Sequence, residues 1–401
     1  MNYDEIVCGR VRDVPPSGIR KFFDIVSTMK DAISLGVGEP DFGTQWTVSD
    51  AAIYSLRQGR THYTANAGLI ELREAVCDYV RARFGVSYDP KTEVFMTVVA
   101  SEGIDAALRV LVEPGDEVLL PDPSYVSYSP GVIFAGGVPV PIVTREEDEF
   151  RITPDALRNA ITPRTKALIL PYPNNPTGAV MDRRDLEAIA GVLRGTNIIV
   201  IADEIYAELT YGGLKHTSFA AIDGMRERTI LLNGFSKAFA MTGWRVGYAC
   251  APRELLSPMF KIHQFTMLCA SIQGQVAADR ALGRAFETGF EDVRTMVRSY
   301  DRRRRLMVTA LNDMGLTCFE PRGAFYVFPS IASTGLTSEE FCTRLLEEKQ
   351  VACVPGTAFG ASGEGHVRCS YATSIEKLNE ALGRIRALVE SLDCGANVNR
   401  G

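Results

Sequence analysis

At 401 residues the chain exceeds what one ordinary hydrophobic core accommodates, which predicts two domains. Hydrophobic residues make up 46% and charged residues 23%, the mix of a soluble globular protein, and a net charge of −6 argues against nucleic acid or an anionic membrane as partner. The nine cysteines show no CxxC pair, Met1–Arg10 lacks an apolar signal core, and no run approaches about 18 apolar residues, so a cytoplasmic protein with reduced thiols and no membrane span is expected.

Taken in chain order, Gly18–Met29 has a helical pattern and Ala32–Leu35 an extended one. From about residue 90 to 250, short apolar runs alternate with helical stretches. The runs are Val94–Val98, Glu117–Leu120, Val138–Ile142, Ala167–Leu170, Ile198–Ala202, Ile230–Leu232 and Gly247–Ala251. Between them lie helical patterns such as Ile104–Leu111, Asp185–Leu193 and Leu255–Leu268. Several runs are continuously apolar rather than alternating, as parallel strands covered on both faces require. This rotation predicts an α/β fold with an open sheet.

From about 285 the texture changes. A long charged helix over Phe286–Met314 leads to a strand at Ala324–Phe328, then helix Ser338–Glu348, strand His366–Ser370 and helix Ser374–Leu392. The basic run Arg302–Arg305 reads as a solvated helix face. The expected division is a large domain over 48–285 and a smaller α+β domain from 1–47 and 286–392. A flexible tail over 393–401 follows.

Ligands of open α/β sheets bind outside the carboxyl ends of the strands, so the residues just after each run are the candidates. Ala100 and Ser101 follow the first run at a helix N-terminus, where free amides and a hydroxyl suit a phosphate; a plain helix cap by Ser101 explains them equally. Tyr125 follows a two-proline turn and offers a ring for stacking, or simply packs. Asn175 sits in a dense turn, either as loop chemistry or with its amide aimed at a ligand oxygen. Asp203 ends an apolar strand, where an acid needs a cation, and Tyr206 lies three residues on; a structural ion pair is the alternative. Lys237 after Ile230–Leu232 has apolar neighbours that favour the neutral, nucleophilic amine, and Arg245 eight residues later carries a charge that forks onto phosphate. A snorkelling lysine and a surface arginine are the bland readings.

These strings resemble the class I/II aminotransferases, pyridoxal-phosphate (PLP) enzymes of fold type I that include aspartate and aromatic aminotransferases. The resemblance rests on Gly38–Phe42 (GEPDF), Thr61–Gly68 (THYTANAG), Pro123–Tyr125 (PSY), Asn174–Gly178 (NNPTG) and Ala202–Tyr206 (ADEIY). It continues through Asn233–Tyr248 (NGFSKAFAMTGWRVGY), Gly323–Pro329 (GAFYVFP) and Val367–Ala372 (VRCSYA), and spans about Ser17 to Leu388. It implies a large domain with a mostly parallel seven-stranded sheet. Lys237 then resembles the lysine that holds the cofactor and shuttles a proton, and Asp203 the acid facing the protonated pyridine nitrogen. Tyr206 and Asn175 match the partners of the ring's phenolic oxygen and Tyr125 the stacking ring. Arg245, Ser101 and Ala100 match the phosphate cup. Tyr63 resembles the tyrosine reaching the neighbouring subunit's phosphate, which implies a homodimer. Arg368 matches the fork for the substrate α-carboxylate, with Asn175 and Gly38 beside it.

Two positions depart from the pattern. Val99 stands where relatives usually carry glycine, which predicts a slightly displaced phosphate turn, and Gly234 where some carry a phosphate-binding serine. Ser17–Asp24 (SGIRKFFD) and Ser34–Phe42 (SLGVGEPDF) are closest to aromatic aminotransferases and Bacillus-type enzymes assigned to N-acetyl-LL-diaminopimelate. Ser17, Gly18 and Ile19 are expected to line the entrance and suit an apolar side chain, with no evident arginine for a second carboxylate unless Arg20 serves. The expected donors are aromatic or other large amino acids, with 2-oxoglutarate as acceptor. Alternatives are N-acetyl-LL-diaminopimelate, aspartate or methionine aminotransferases, a β-lyase or cyclopropane-carboxylate synthase on the same fold, and an aminotransferase-like regulator. The last needs a DNA-binding segment before the matched region, for which the first 16 residues leave no room.

Overall fold

The computed structural model describes the backbone of residues 1–16, 18, 29 and 31–398; Ser17, Ile19, Arg20 and most of the expected Gly18–Met29 helix lie outside the described residues. All seven apolar runs form strands of one sheet. They are β2 (Val94–Thr97), β3 (Glu117–Asp122), β4 (Val138–Val143), β5 (Thr165–Leu170), β6 (Ile199–Asp203), β7 (Thr229–Gly234) and β8 (Gly247–Cys250). Their spatial order is β2-β8-β7-β6-β5-β3-β4. Neighbours from β7 through β4 pair in parallel, whereas β8 runs antiparallel to both β7 and β2. Val200, Ile201, Leu231 and Leu232 are wholly buried, because helices cover both faces of the central strands.

The sheet's direction decides where chemistry collects. Strands β2, β5, β6 and β7 all end at one edge, and antiparallel β8 begins there. Residues following β7 and residues preceding β8 therefore meet, although Lys237 and Arg245 are separated by a 3-10 turn at Thr242–Trp244.

A second core gathers Tyr300, Phe325, Phe341, Leu345, Leu378 and Leu388 around two small sheets. One pairs β1 (Ile33–Ser34) with β10 (Val351–Ala352) in parallel; the other has the order β11 (Val354–Pro355), β12 (Val367–Ser370), β9 (Tyr326–Val327). The Ile33↔Val351 register ties the start of the chain to its last third.

Three expectations need correction. The charged helix expected over Phe286–Met314 spans Glu291–Asp313, because Gly289 and Phe290, with left-handed φ of 60° and 65°, break the chain after the preceding helix Ile272–Glu287. The final helix continues past Leu392, over Ile375–Val398, so the tail expected from 393 begins as helix. The run Arg302–Arg305 is only half solvated, since Arg303 and Arg304 are buried. Arg303 Nη1 donates to both Asp41 oxygens at 2.8 Å, and Arg304 meets Asp301 at 2.8 Å and Glu320 at 2.6 Å. Residues at i and i+1 point to different sides of a helix, and each of these two finds its own carboxylate, Asp41 for Arg303 and Asp301 with Glu320 for Arg304.

Among the described residues no helix is long and apolar enough to cross a membrane. The Arg303–Asp41 pair fastens the Gly38–Phe42 segment to the long helix. Asp41→Asn leaves the buried guanidinium without its counter-charge and is expected to cost about 3 kcal/mol in a denaturant titration; a loss below about 1 kcal/mol would show that the pair is not what fixes this segment.

Candidate active site

A cavity of about 530 Å³ opens at the carboxyl edge of the large sheet. Its walls bring together Gly38, Ala100, Ser101, Tyr125, Asn175, Asp203, Tyr206, Lys237, Arg245 and Arg368, ten candidates drawn from across the sequence. Tyr63 is not among its walls and is 82% exposed. Ile19 lies outside the described residues.

Asp203 closes β6, and its carboxylate is buried with no lysine or arginine within ion-pair distance among the described residues. The structural ion pair therefore does not account for it. Tyr128 Oη donates to Oδ2 at 2.8 Å and the Ile205 amide to Oδ1 at 3.2 Å. Burial outweighs these bonds and pushes the carboxyl up to about 6. Its neighbour Glu204 turns the other way, bonding Ser218 at 2.8 Å and the Phe219 amide at 3.1 Å.

Lys237 does not snorkel. Its Nζ donates to the Gly38 carbonyl at 2.6 Å, inside the cavity. Burial lowers its ammonium to about 8, with Arg368 and Arg245 adding repulsion and Glu39 and Asp203 opposing it. The apolar faces of Tyr206 and Phe325 lie 5.7 and 5.6 Å from Nζ.

Arg368 is the mirror image of Asp203. It is fully buried, held between the rings of Tyr326 and Phe359 at 4.5 and 4.8 Å. Nη1 donates to Asn175 Oδ1 at 2.9 Å and Nη2 to the Gly36 carbonyl at 2.5 Å, while Nε has no hydrogen-bond partner. No carboxylate neutralises it among the described residues. One cavity thus holds a buried anion lacking a cation and a buried cation lacking an anion, an arrangement that a ligand carrying both complements would satisfy.

Ser101 lies inside the first turn of helix Val99–Leu111, whose cap position is Val98, so it is not the helix cap. Val99 adopts φ 61°, a conformation costly for a β-branched residue. The turn is crowded from below, since a Cβ on Gly247 would come within 2.7–2.9 Å of the Val99 and Ala100 backbone. Gly234 is similarly tight: a side chain there would meet the Gly247 Cα and Val246 oxygen at 3.0 Å.

The family described as Aminotransferase class I and II matches residues 30–385. The chain belongs to that family. This aminotransferase is 52% identical over 376 residues to the putative aminotransferase YugH of Bacillus subtilis, covering 94% of this chain and 96% of that protein. It is 48% identical to an aspartate aminotransferase of Pyrococcus abyssi, again over 94% of this chain and 96% of the relative. The solved aromatic aminotransferase of Pyrococcus horikoshii superposes with a TM-score of 0.87 at 46% identity, covering 92% of this chain and 99% of that one. Enzymes of the family are generally PLP-dependent, and the residues here fit such a group: an uncompensated buried acid, a lysine with a depressed ammonium, and an anion turn beside an arginine.

Sequence reasoning missed three residues of the aminotransferase cavity. Tyr128 bonds Asp203 directly. Tyr326 Oη sits 2.9 Å from Tyr206 Oη, and a Cβ on Gly38 would lie 2.5 Å from it. Glu39 stands at the rim, accepting from the Thr242 hydroxyl. Tyr326 and Glu39 lie inside quoted motifs, so the signal was present without an assigned role; nothing in the sequence marks Tyr128 off from other tyrosines.

Two outcomes follow from this geometry. Asp203 has a folded value above its ordinary one, so the folded apoprotein holds the extra proton and loses stability as pH rises from about 4 to 6. Apo Asp203→Asn should therefore exceed apo wild type by about 3 kcal/mol at pH 8, with the gap closing below about pH 4; equal pH–stability curves would refute the buried, unpaired acid. Val99→Gly exchanges relief of about 1–2 kcal/mol of left-handed strain for about 0.5–1 kcal/mol of added chain entropy. It should be neutral to within about 1 kcal/mol by calorimetry, unlike an ordinary truncation of a buried valine.

Proposed function

We propose that this aminotransferase takes aromatic or other large L-amino acids as donors and a 2-oxo acid such as 2-oxoglutarate as acceptor, with PLP carried on Lys237. The observation that carries the reading is the pair of uncompensated buried charges, Asp203 and Arg368, in one cavity with a lysine whose ammonium is depressed. Bound PLP would supply an electron sink for the deprotonated substrate α-carbon. Asp203 would keep the ring nitrogen protonated. Tyr206, whose phenol burial pushes well above its ordinary value, remains a neutral donor to the ring's phenolic oxygen, with the Asn175 amide beside it. Tyr125 would stack on the ring, and the Ala100 amide, Ser101 hydroxyl and Arg245 would receive the phosphate. Arg368 would fork onto the α-carboxylate beside Asn175 and Gly38, and Lys237 Nζ is the base that takes the α-proton.

The substrate preference rests on what lines the cavity. Among the described residues its lysine and arginines are Lys237, Arg245 and Arg368, each with a role above, and the acidic Glu39 stands at the rim. Tyr125, Tyr326 and Ile205 offer apolar surface for a large side chain. The similarity to the aromatic aminotransferase of Pyrococcus horikoshii agrees with this; the similarity to the aspartate aminotransferase of Pyrococcus abyssi makes acidic donors the competing reading. A homodimer in which Tyr63 enters the partner's site accounts for its exposure, and for Trp46 and Phe265, 69% and 91% exposed. In this reading residues 48–285 form the large domain, with 1–47 and 286–392 forming the smaller one.

The test is the visible spectrum of PLP-loaded protein titrated with phenylalanine, tyrosine, aspartate, methionine and N-acetyl-LL-diaminopimelate in turn, followed by 2-oxoglutarate. Conversion of the cofactor band at the lowest concentration by an aromatic donor, and its restoration by 2-oxoglutarate, is the expected result; aspartate acting first would overturn the substrate class. Asp203→Ala should lose two to three orders of magnitude in turnover, following a loss of roughly 3–5 kcal/mol. Only the neutral amine of Lys237 attacks the aldehyde, so the rate of PLP capture by apoprotein should rise with pH and level off above about 8. A pH-independent capture rate would place the nucleophile elsewhere.

A further inference from the structure

His263 lies on helix Arg253–Thr266, outside the cavity, and the chemistry above does not use it. It is completely buried in an aromatic cluster, its ring 5.1 Å from Phe95 and 6.0 Å from Phe260, which are themselves 5.8 Å apart. Nδ1 meets Glu102 Oε1 at 2.5 Å and Nε2 meets the Asn66 carbonyl at 2.8 Å. A carbonyl only accepts, so Nε2 carries a hydrogen, and the contact on Nδ1 requires a second proton between ring and carboxyl. Glu102 Oε2 in turn accepts from the Val98 amide.

One buried unit therefore grips two segments far apart in sequence. Val98 immediately precedes the left-handed Val99 and the Ala100–Ser101 turn. Asn66 lies three residues beyond Tyr63. The same Tyr63-bearing segment is held on its other side by Gln275, which accepts from the Leu69 amide at 2.7 Å and donates to Thr64 Oγ1 at 3.1 Å. Apolar packing alone would be served by a third phenylalanine in this cluster. A buried imidazole and carboxyl carry a desolvation cost that their hydrogen bonds must offset, and those bonds go to Val98, next to the Ala100–Ser101 turn, and to Asn66, next to Tyr63.

We propose that His263 and Glu102 are positioning residues that fix the phosphate turn of one subunit to the Tyr63 segment that the same subunit offers its partner. This rests on the PLP and dimer reading above. Without the pair, the strained turn relaxes and the Tyr63 segment drifts, so affinity is lost at the phosphate end of the cofactor while the Lys237 and Asp203 end is unaffected.

The experiment measures equilibrium affinity of the apoprotein for PLP and for pyridoxal, which lacks the phosphate, by absorbance, alongside the apoprotein's melting midpoint. Glu102→Ala and His263→Phe should lower the ratio of PLP to pyridoxal affinity about tenfold, with pyridoxal affinity unchanged. Glu102→Gln should keep the ratio within about twofold, because its amide oxygen accepts from Val98 and its NH₂ donates to Nδ1. A fall in melting midpoint with an unchanged ratio in both disruptive variants would show a purely structural pair and overturn the inference. Failure of wild type itself to bind PLP would instead overturn the cofactor reading on which it stands.

Discussion

The position of β8 controls this molecule. Because β8 enters the sheet antiparallel between β2 and β7, its first residues lie at the edge where its neighbours end. That places Arg245 in one cavity with the Val99–Ser101 turn after β2 and with Lys237 after β7. Gly247 makes the approach possible, since any side chain there would collide with the Val99 and Ala100 backbone. A parallel β8 would send Arg245 to the far edge of the sheet and leave the turn without its charge.

From that edge the electrostatics follow. Burial works on two opposite groups in the same cavity and leaves each incomplete: Asp203 without a cation and Arg368 without an anion. Hydrogen bonds from Tyr128 and Ile205 reduce the strain on Asp203 but do not replace a counter-charge, and cation–π contacts with Tyr326 and Phe359 do the same for Arg368. Such sites cost stability in the empty protein, and the cost is what makes them selective: a ligand that brings a protonated ring nitrogen and a carboxylate satisfies both. Lys237 shares the cavity with these charges, and the low polarity that makes Asp203 hard to ionise is the same one that frees the lysine's amine.

The Arg303–Asp41 pair and the Glu102–His263 pair extend this economy outward. Each uses a buried charged group to hold a loop that contributes to the cavity, the Gly38–Phe42 segment in one case and the phosphate turn in the other. Both loops carry glycines or left-handed residues and would not keep their shape by local propensity alone.

Local signals in the sequence determined the seven strands and eight of the ten residues that line the cavity, because continuous apolar runs mark the strands and their ends mark the candidates; Gly38 and Arg368 came only from the family resemblance. It also marked Val99 as unusual, and the structure gives the reason in its left-handed backbone. Tertiary structure decided what depends on distant partners. Arg303 and Arg304 look like two more charges on a solvated helix until Asp41 and Glu320 are brought to them. Tyr128 and His263 carry no local mark, since their importance lies in Asp203, 75 residues away, and Glu102, 161 residues away. A helix break at Gly289–Phe290 was hidden within a charged pattern that continues through it. Local chemistry fixes which elements form and which side chains emerge at their ends; only the packed chain fixes which charges are left unpaired, and that decides what the cavity accepts.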